Sequence, residues 1–121
     1  MELFDDFYYF SEGYSVAHLK EDIIEKPNWV YVDKYLACYG KDENDWRFEE
    51  AYPFHEGLAK VKINGKYGFI DRDFKLAIPA EYDSAESFNR RLAKVTINSS
   101  NVKVVSYIDR RGKTVFQTIA Q

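Results

Sequence analysis

The stretch FHEGLAKVKINGKYGFIDRDFKLAIPAEYDSA, from Phe54 to Ala85, decides the fold of this 121-residue chain. Apolar and polar residues alternate from Leu58 to Ile63, which is the two-residue period of a strand with one buried face. Asn64-Gly65 comes next, and this pair favours a two-residue hairpin turn because both residues tolerate a positive φ. The alternation resumes at Tyr67, so the stretch predicts a β-hairpin.

A third strand is predicted directly after this hairpin. Residues 72–74 turn the chain into a short run from Lys75 to Ile78. Pro79 is expected to end that strand, because proline has no N–H to donate to a ladder. The stretch therefore predicts a three-stranded antiparallel meander, followed by a short link that holds one helical turn.

A similar pattern begins at two further phenylalanines. FNRRLAKVTI at Phe88 is identical to FHEGLAKVKI at Phe54 in six of ten positions, and FSEGYSVAHL at Phe10 fits the same frame. Similarity at this level indicates internal repeats. The three phenylalanines are predicted to be buried between repeat units.

A second block recurs at a constant spacing. Its copies start 38 residues apart and read WVYVD at Trp29, YGFID at Tyr67 and VSYID at Val105. The sequence therefore predicts one repeat domain of residues 1–121, with repeats at about residues 4–47, 48–81 and 82–121. We expect an all-β fold of three tandem three-stranded antiparallel meander units, packed as a short solenoid or twisted sheet array, with short helical turns in the links.

The distance between the two blocks differs among the repeats. Phe54 and Tyr67 are 13 residues apart, whereas Phe88 and Val105 are 17 residues apart. Because loop tips tolerate insertions, we assign the extra residues of the third repeat to a longer loop at residues 98–101.

Two recurrent residue types indicate turns. Gly13 and Gly57 precede predicted strands at a place where we expect a left-handed backbone, and Arg91 takes this place in the third repeat. An aspartate ends the second block of every repeat, where its carboxylate can accept N–H groups of the following turn. These aspartates are Asp33, Asp71 and Asp109.

The repeats resemble the WG β-repeat family of bacterial proteins, also called KWG repeats. The second repeat matches the family pattern nearly throughout, with Tyr67 in place of the family tryptophan. The first repeat keeps Trp29 but has Val30 where glycine is expected, and the third has Val105-Ser106 there. The resemblance implies a tandem β architecture and no activity, because such repeats look like scaffold or interaction units.

Composition indicates a soluble globular chain, with 45 % hydrophobic and 31 % charged residues. No apolar run approaches the ~20 residues of a membrane span. The opening MELFDDFYYF does not read as an export signal, and a single cysteine, Cys38, fits a reducing compartment. We therefore expect a cytoplasmic protein, although a chain trimmed of its export signal would read the same way.

Catalytic and metal-binding motifs are missing from the sequence. His18 and His55 stand alone, and Cys38 has no partner at metal-ligand spacing. The chain has no glycine-rich phosphate loop and no hydrolase or zinc-protease motif. We predict that the protein is not an enzyme and uses no metal or cofactor.

Charge and aromatic residues are distributed unevenly and indicate contact sites. Residues 1–60 carry a net charge of −8 and residues 61–121 a net charge of +5, so the chain could dock a charged partner or associate head to tail. The basic candidates for an acidic partner are Arg90, Arg91, Arg110 and Arg111. Aromatic residues concentrate before residue 61, where Tyr39 and Trp46 either cap the array or form a binding platform.

The leading expectation for function is a non-enzymatic protein-interaction module that contacts another protein, with no nucleic acid and no membrane as a partner. One alternative is a ligand-binding protein for a saccharide or cell-wall fragment, with Tyr39 and Trp46 as stacking faces. The other is a small inhibitor or immunity-type protein whose acidic half blocks a basic enzyme.

Overall fold

Three antiparallel sheets form the described part of the computed structural model, which covers residues 4–7, 10–19, 29–35, 38–39 and 48–120. Each sheet has four strands that follow one another in chain order. The first sheet contains β1 (Phe4–Phe7), β2 (Ser15–Leu19), β3 (Trp29–Val32) and β4 (Cys38–Tyr39). The second contains β5 (Glu50–His55), β6 (Leu58–Ile63), β7 (Lys66–Ile70) and β8 (Leu76–Tyr82). The third contains β9 (Ser84–Ala85), β10 (Ala93–Ser99), β11 (Val102–Ile108) and β12 (Thr114–Ala120).

The links between repeats are strands, so the predicted helical turns and the three-stranded units were wrong. No helix occurs in these described ranges, and hence none long and apolar enough to cross a membrane. The link at the start of the second repeat contains β5, which pairs with β6 through Glu50 opposite Lys62 and Ala51 opposite Val61. This pairing satisfies the backbone groups of β6 on a side that a three-stranded unit would leave open.

The hairpin turns follow the local sequence. Asn64 and Gly65 have φ values of 50° and 81°, as a two-residue turn with positive φ at both positions requires. In the third repeat, Ser100 and Asn101 have φ values of 38° and 70° and form an equally short turn. The expected longer loop was wrong because the extra residues extend β10 and β11, up to the pair Ser99 and Val102.

Pro79 does not end a strand, contrary to the prediction. It lies inside β8, an outer strand of the second sheet, and its side chain is exposed. The β7–β8 register shifts around it, from Phe69 opposite Ile78 to Tyr67 opposite Tyr82. Proline is tolerated there because an edge strand with a bulge has positions that donate no ladder hydrogen bond.

Gly68 is required by the same bulge. A Cβ atom at Gly68 would lie 2.6 Å from the carbonyl oxygen of Ile78 and 2.8 Å from the backbone of Ala80. The third repeat has no bulge at the corresponding place, where Ser106 pairs regularly with Gln117. A side chain at this position is therefore tolerated only where the neighbouring strand is regular.

One apolar cluster joins the first and second sheets. Val16 and Tyr31 of the first repeat pack with Phe54, Val61 and other buried residues of the second. The Tyr31 hydroxyl donates a 2.7 Å hydrogen bond to the Tyr52 carbonyl, which satisfies the buried phenol.

A second cluster joins the second and third sheets. Phe88 lies with its ring centroid 4.8 Å from that of Phe69, in an edge-to-face arrangement. Phe54 and Phe88 are 0 % and 3 % exposed, as predicted for residues between units. Phe10 is 53 % exposed, so that prediction was wrong for the first repeat.

Candidate functional site

The same two-residue turn opens each repeat. Glu12 and Gly13 have φ values of 54° and 92°, and Glu56 and Gly57 have values of 56° and 83°. The left-handed backbone predicted at the two glycines is therefore confirmed. In the third repeat Arg90 (54°) and Arg91 (70°) adopt the same backbone without a glycine. We call these three pairs the opening turns.

The opening turns of neighbouring repeats are hydrogen-bonded to each other. The Glu12 carboxylate accepts the N–H of Gly57 at 3.0 and 3.3 Å. At the next junction, the Glu56 carboxylate accepts the N–H of Arg91 at 2.7 Å. Each glutamate thus fixes the opening turn of the following repeat.

An arginine strengthens each of these junctions. Arg72 of the second repeat donates to the Glu12 carbonyl at 3.3 Å, and Arg110 of the third repeat donates to the Glu56 carbonyl at 3.3 Å. The two contacts are equivalent in the repeat frame. At the second junction two arginines therefore bind Glu56: the N–H of Arg91 donates to its carboxylate, and the side chain of Arg110 donates to its carbonyl.

The turn that follows each recurrent aspartate, which we call the aspartate turn, positions Arg111 in the third repeat. Asp109 accepts the N–H groups of Arg111 at 2.9 Å and Lys113 at 3.0 Å through one oxygen, as predicted for this aspartate. These backbone donors, that of Lys113 first, hold the pKa of Asp109 below its usual range. Asp71 makes the same two bonds in the second repeat, to Asp73 and Lys75.

Residues of these turns line an open cleft of about 490 Å³ between the second and third repeats. We call it the junction cleft. Its lining residues are Glu56, Gly57, Leu58, Asp71, Ala77, Arg91, Asp109, Arg110 and Arg111.

The carboxylates of the junction cleft accept backbone N–H groups, whereas its guanidinium groups have few bonds within the part of the chain that the structure describes. Glu56 and Asp109 accept backbone N–H groups. Arg110 donates to the Glu56 carbonyl, which is a neutral group. The side chains of Arg91 and Arg111 form no hydrogen bond or salt bridge with any residue that the structure describes. The cleft can therefore offer charged donors to an anion.

The structure brings together three of the six contact residues predicted from sequence. Arg91, Arg110 and Arg111 line the junction cleft, whereas Arg90 is exposed beside it and is not among the lining residues. Tyr39 ends the short strand β4, but its side chain lies outside the described part, as does all of Trp46. The proposed aromatic platform thus stays a prediction.

Sequence reasoning missed the two glutamates that build the junctions. Glu12 and Glu56 each stand directly before the glycine of an opening turn, so their recurrence was visible. Their role was not, because each carboxylate bonds to a residue 35 or 45 positions along the chain.

A second polar cluster, around Glu50, is internally satisfied. The Glu50 carboxylate accepts hydrogen bonds from the hydroxyls of Tyr52 and Tyr67 and from Lys62. The Tyr52 hydroxyl is the main cause that lowers the pKa of Glu50. Lys60 lies 4.1 Å from the Tyr52 ring centroid and donates to the Ala85 carbonyl at 2.9 Å, which ties the second sheet to the third. We assign this cluster to stability.

Metal binding finds no support in the described ranges, where no three His, Cys, Asp or Glu side chains are grouped to hold an ion.

Comparison with known proteins gives one family. Residues 47–67 and 67–99 match the family model described as WG containing repeat. No curated protein and no solved structure matches the chain.

Proposed function

We propose that this chain, which belongs to the WG containing repeat family through residues 47–99, is a non-enzymatic protein-interaction module. Its repeats form a short array, and its contact site is the junction cleft. The partner is a protein that inserts an acidic segment between the opening turn of the third repeat and its aspartate turn. Carboxylates suit this site because guanidinium groups bind them with charge-assisted, often bidentate hydrogen bonds.

The observation that carries the proposal is the backbone of Arg91. Its φ of 70° is left-handed, and Gly13 and Gly57 occupy this conformation in the other repeats. A non-glycine residue there costs on the order of 1 kcal/mol or more. The guanidinium group of Arg91, which makes no hydrogen bond with the described residues, gives a reason to keep an arginine at a position that glycine fits better.

The chemistry of the cleft favours binding over catalysis. Guanidinium groups stay protonated in proteins and so do not exchange protons near neutral pH. The Asp109 carboxylate has a lowered pKa and is held by two backbone N–H groups, so it is poorly placed to accept a proton. Fixed positive charge is what an anion-binding contact needs.

Affinity capture from native lysate tests this proposal. We expect Arg91→Ala/Arg111→Ala to lose at least 90 % of one or more proteins that the wild type captures, because two charged donors are removed. Raising the salt concentration should release the same proteins from the wild type.

The matched control is Lys75→Ala/Lys103→Ala, which removes two exposed positive charges outside the cleft lining. It should capture those proteins at wild-type levels. If the arginine variant captures the same set as the wild type, or if both variants lose it equally, the junction cleft is not the contact site.

A further inference from the structure

The first two repeats each present an apolar face that the following repeat covers. In the second repeat this face consists of Leu58, Phe69 and Ile78, which are 6 %, 0 % and 1 % exposed. Phe88 of the third repeat packs on it, edge to face with Phe69. A phenylalanine from the next repeat thus fills the face, as Phe54 does against Tyr31 one junction earlier.

In the third repeat the corresponding face is partly exposed to solvent. We call Leu92, Tyr107 and Phe116 the forward face, because they take the corresponding places in the third repeat. The rings of Tyr107 and Phe116 are 5.7 Å apart and form one aromatic surface. Phe116 is 57 % exposed, whereas Ile78 at the same place in the second repeat is buried.

Residue 90 determines which partner suits the forward face. At this position in the earlier repeats, Glu12 and Glu56 accept an N–H of the following opening turn. Arg90 is exposed and is a donor, so another repeat of this kind would oppose donor to donor. A carboxylate at this place would instead meet a positive charge. Residues 82–121 as a whole carry 7 basic and 3 acidic residues.

A second copy of the chain fits this face poorly. The strand residues by which a repeat packs on its predecessor are buried in the first repeat, where Ser15, Ala17 and Val32 are 0 % exposed, whereas Phe10 is accessible. Two forward faces packed together would bring two basic repeats into contact. Charge disfavours only this head-to-head pairing, since residues 1–60 are acidic; head-to-tail pairing is opposed by the burial of Ser15, Ala17 and Val32. A different, acidic protein therefore fits the forward face best.

We propose that the forward face binds an acidic partner segment that supplies one aromatic ring and one carboxylate. The ring packs on Tyr107 and Phe116 as Phe88 packs on Phe69, and the carboxylate pairs with Arg90. This inference rests on the proposed function, since it specifies the chemistry of the same acidic partner. Aromatic anchors in apolar pockets beside charged pairs are the usual centre of such interfaces.

Selection from a phage-displayed random peptide library on the immobilised protein tests the inference. We expect the enriched peptides to combine Phe, Tyr or Trp with Asp or Glu. Phe116→Ser and Arg90→Glu should each weaken binding of the best synthetic peptide at least tenfold. Val115→Ser is the matched control, because Val115 is 59 % exposed beside Phe116 but is not part of the forward face.

Each result separates this inference from the proposed function. Failure to enrich peptides, enrichment of peptides without acidic residues, or binding that survives Phe116→Ser would overturn the inference. A lysate partner that Phe116→Ser keeps and Arg91→Ala/Arg111→Ala loses would also overturn it, while the proposed function would stand. A partner lost by Phe116→Ser and Arg90→Glu, but kept by Val115→Ser, supports it.

Discussion

Phe54→Ala is expected to lower the free energy of unfolding by about 4 kcal/mol, because truncating a buried phenylalanine removes its apolar burial and leaves a cavity. The ring is fully buried between the first two sheets. It lies 5.2 Å from the Tyr31 ring centroid and 5.9 Å from that of Phe74. Urea denaturation followed by circular dichroism measures the change.

Phe10→Ala is the matched control, since Phe10 holds the same place in the repeat frame but is mostly exposed. Its loss should change stability by no more than about 0.5 kcal/mol. Equal effects of the two variants would contradict the assignment of Phe54 as the contact that couples the first two repeats.

Gly68→Ala should destabilise the protein by about 3 kcal/mol, through crowding rather than through a cavity. The added methyl group would meet the backbone of β8 at Ile78 and Ala80, at distances that real Cβ atoms do not adopt. No side-chain rotation relieves a clash with backbone, so the Pro79 bulge must shift. The midpoint of thermal or urea unfolding reports this loss.

Ser106→Ala provides the comparison at the corresponding position of the third repeat. Its strand neighbour Gln117 is in regular register, so a Cβ atom is already accommodated there. We expect a change of no more than about 0.5 kcal/mol. If Gly68→Ala proves as stable as the wild type, the backbone of the bulge moves easily and the account that Gly68 is required there is contradicted.

Local rules predicted those features of the fold that depend on neighbours in sequence. Asn64-Gly65 encodes its own turn, and the alternation from Leu58 to Ile63 encodes a half-buried strand. The local rule for Pro79 failed because β8 lies at a sheet edge and carries a bulge, both of which are properties of the whole sheet. The prediction for Phe10 failed for a similar reason, since burial of its ring depends on what packs against the first sheet and not on its place in the repeat.

The candidate site was predictable by residue type but not by arrangement. Two basic pairs were visible in the third repeat, yet only three of the four arginines line the junction cleft. The decisive contact is Glu56, whose carboxylate holds the N–H of Arg91 and whose carbonyl accepts from Arg110. Sequence spacing of 35 and 54 residues gives no sign of these bonds.

The central claim, that Arg91 is kept for binding at a cost in stability, is tested most directly by Arg91→Gly. Glycine adopts a φ of 70° without strain, so the variant should be about 1 kcal/mol more stable than the wild type in urea denaturation. It should also lose the salt-sensitive partners that the wild type captures, and Arg91→Ala should lose them too, without the gain in stability. Unchanged capture by the stabilised Arg91→Gly variant would contradict the account.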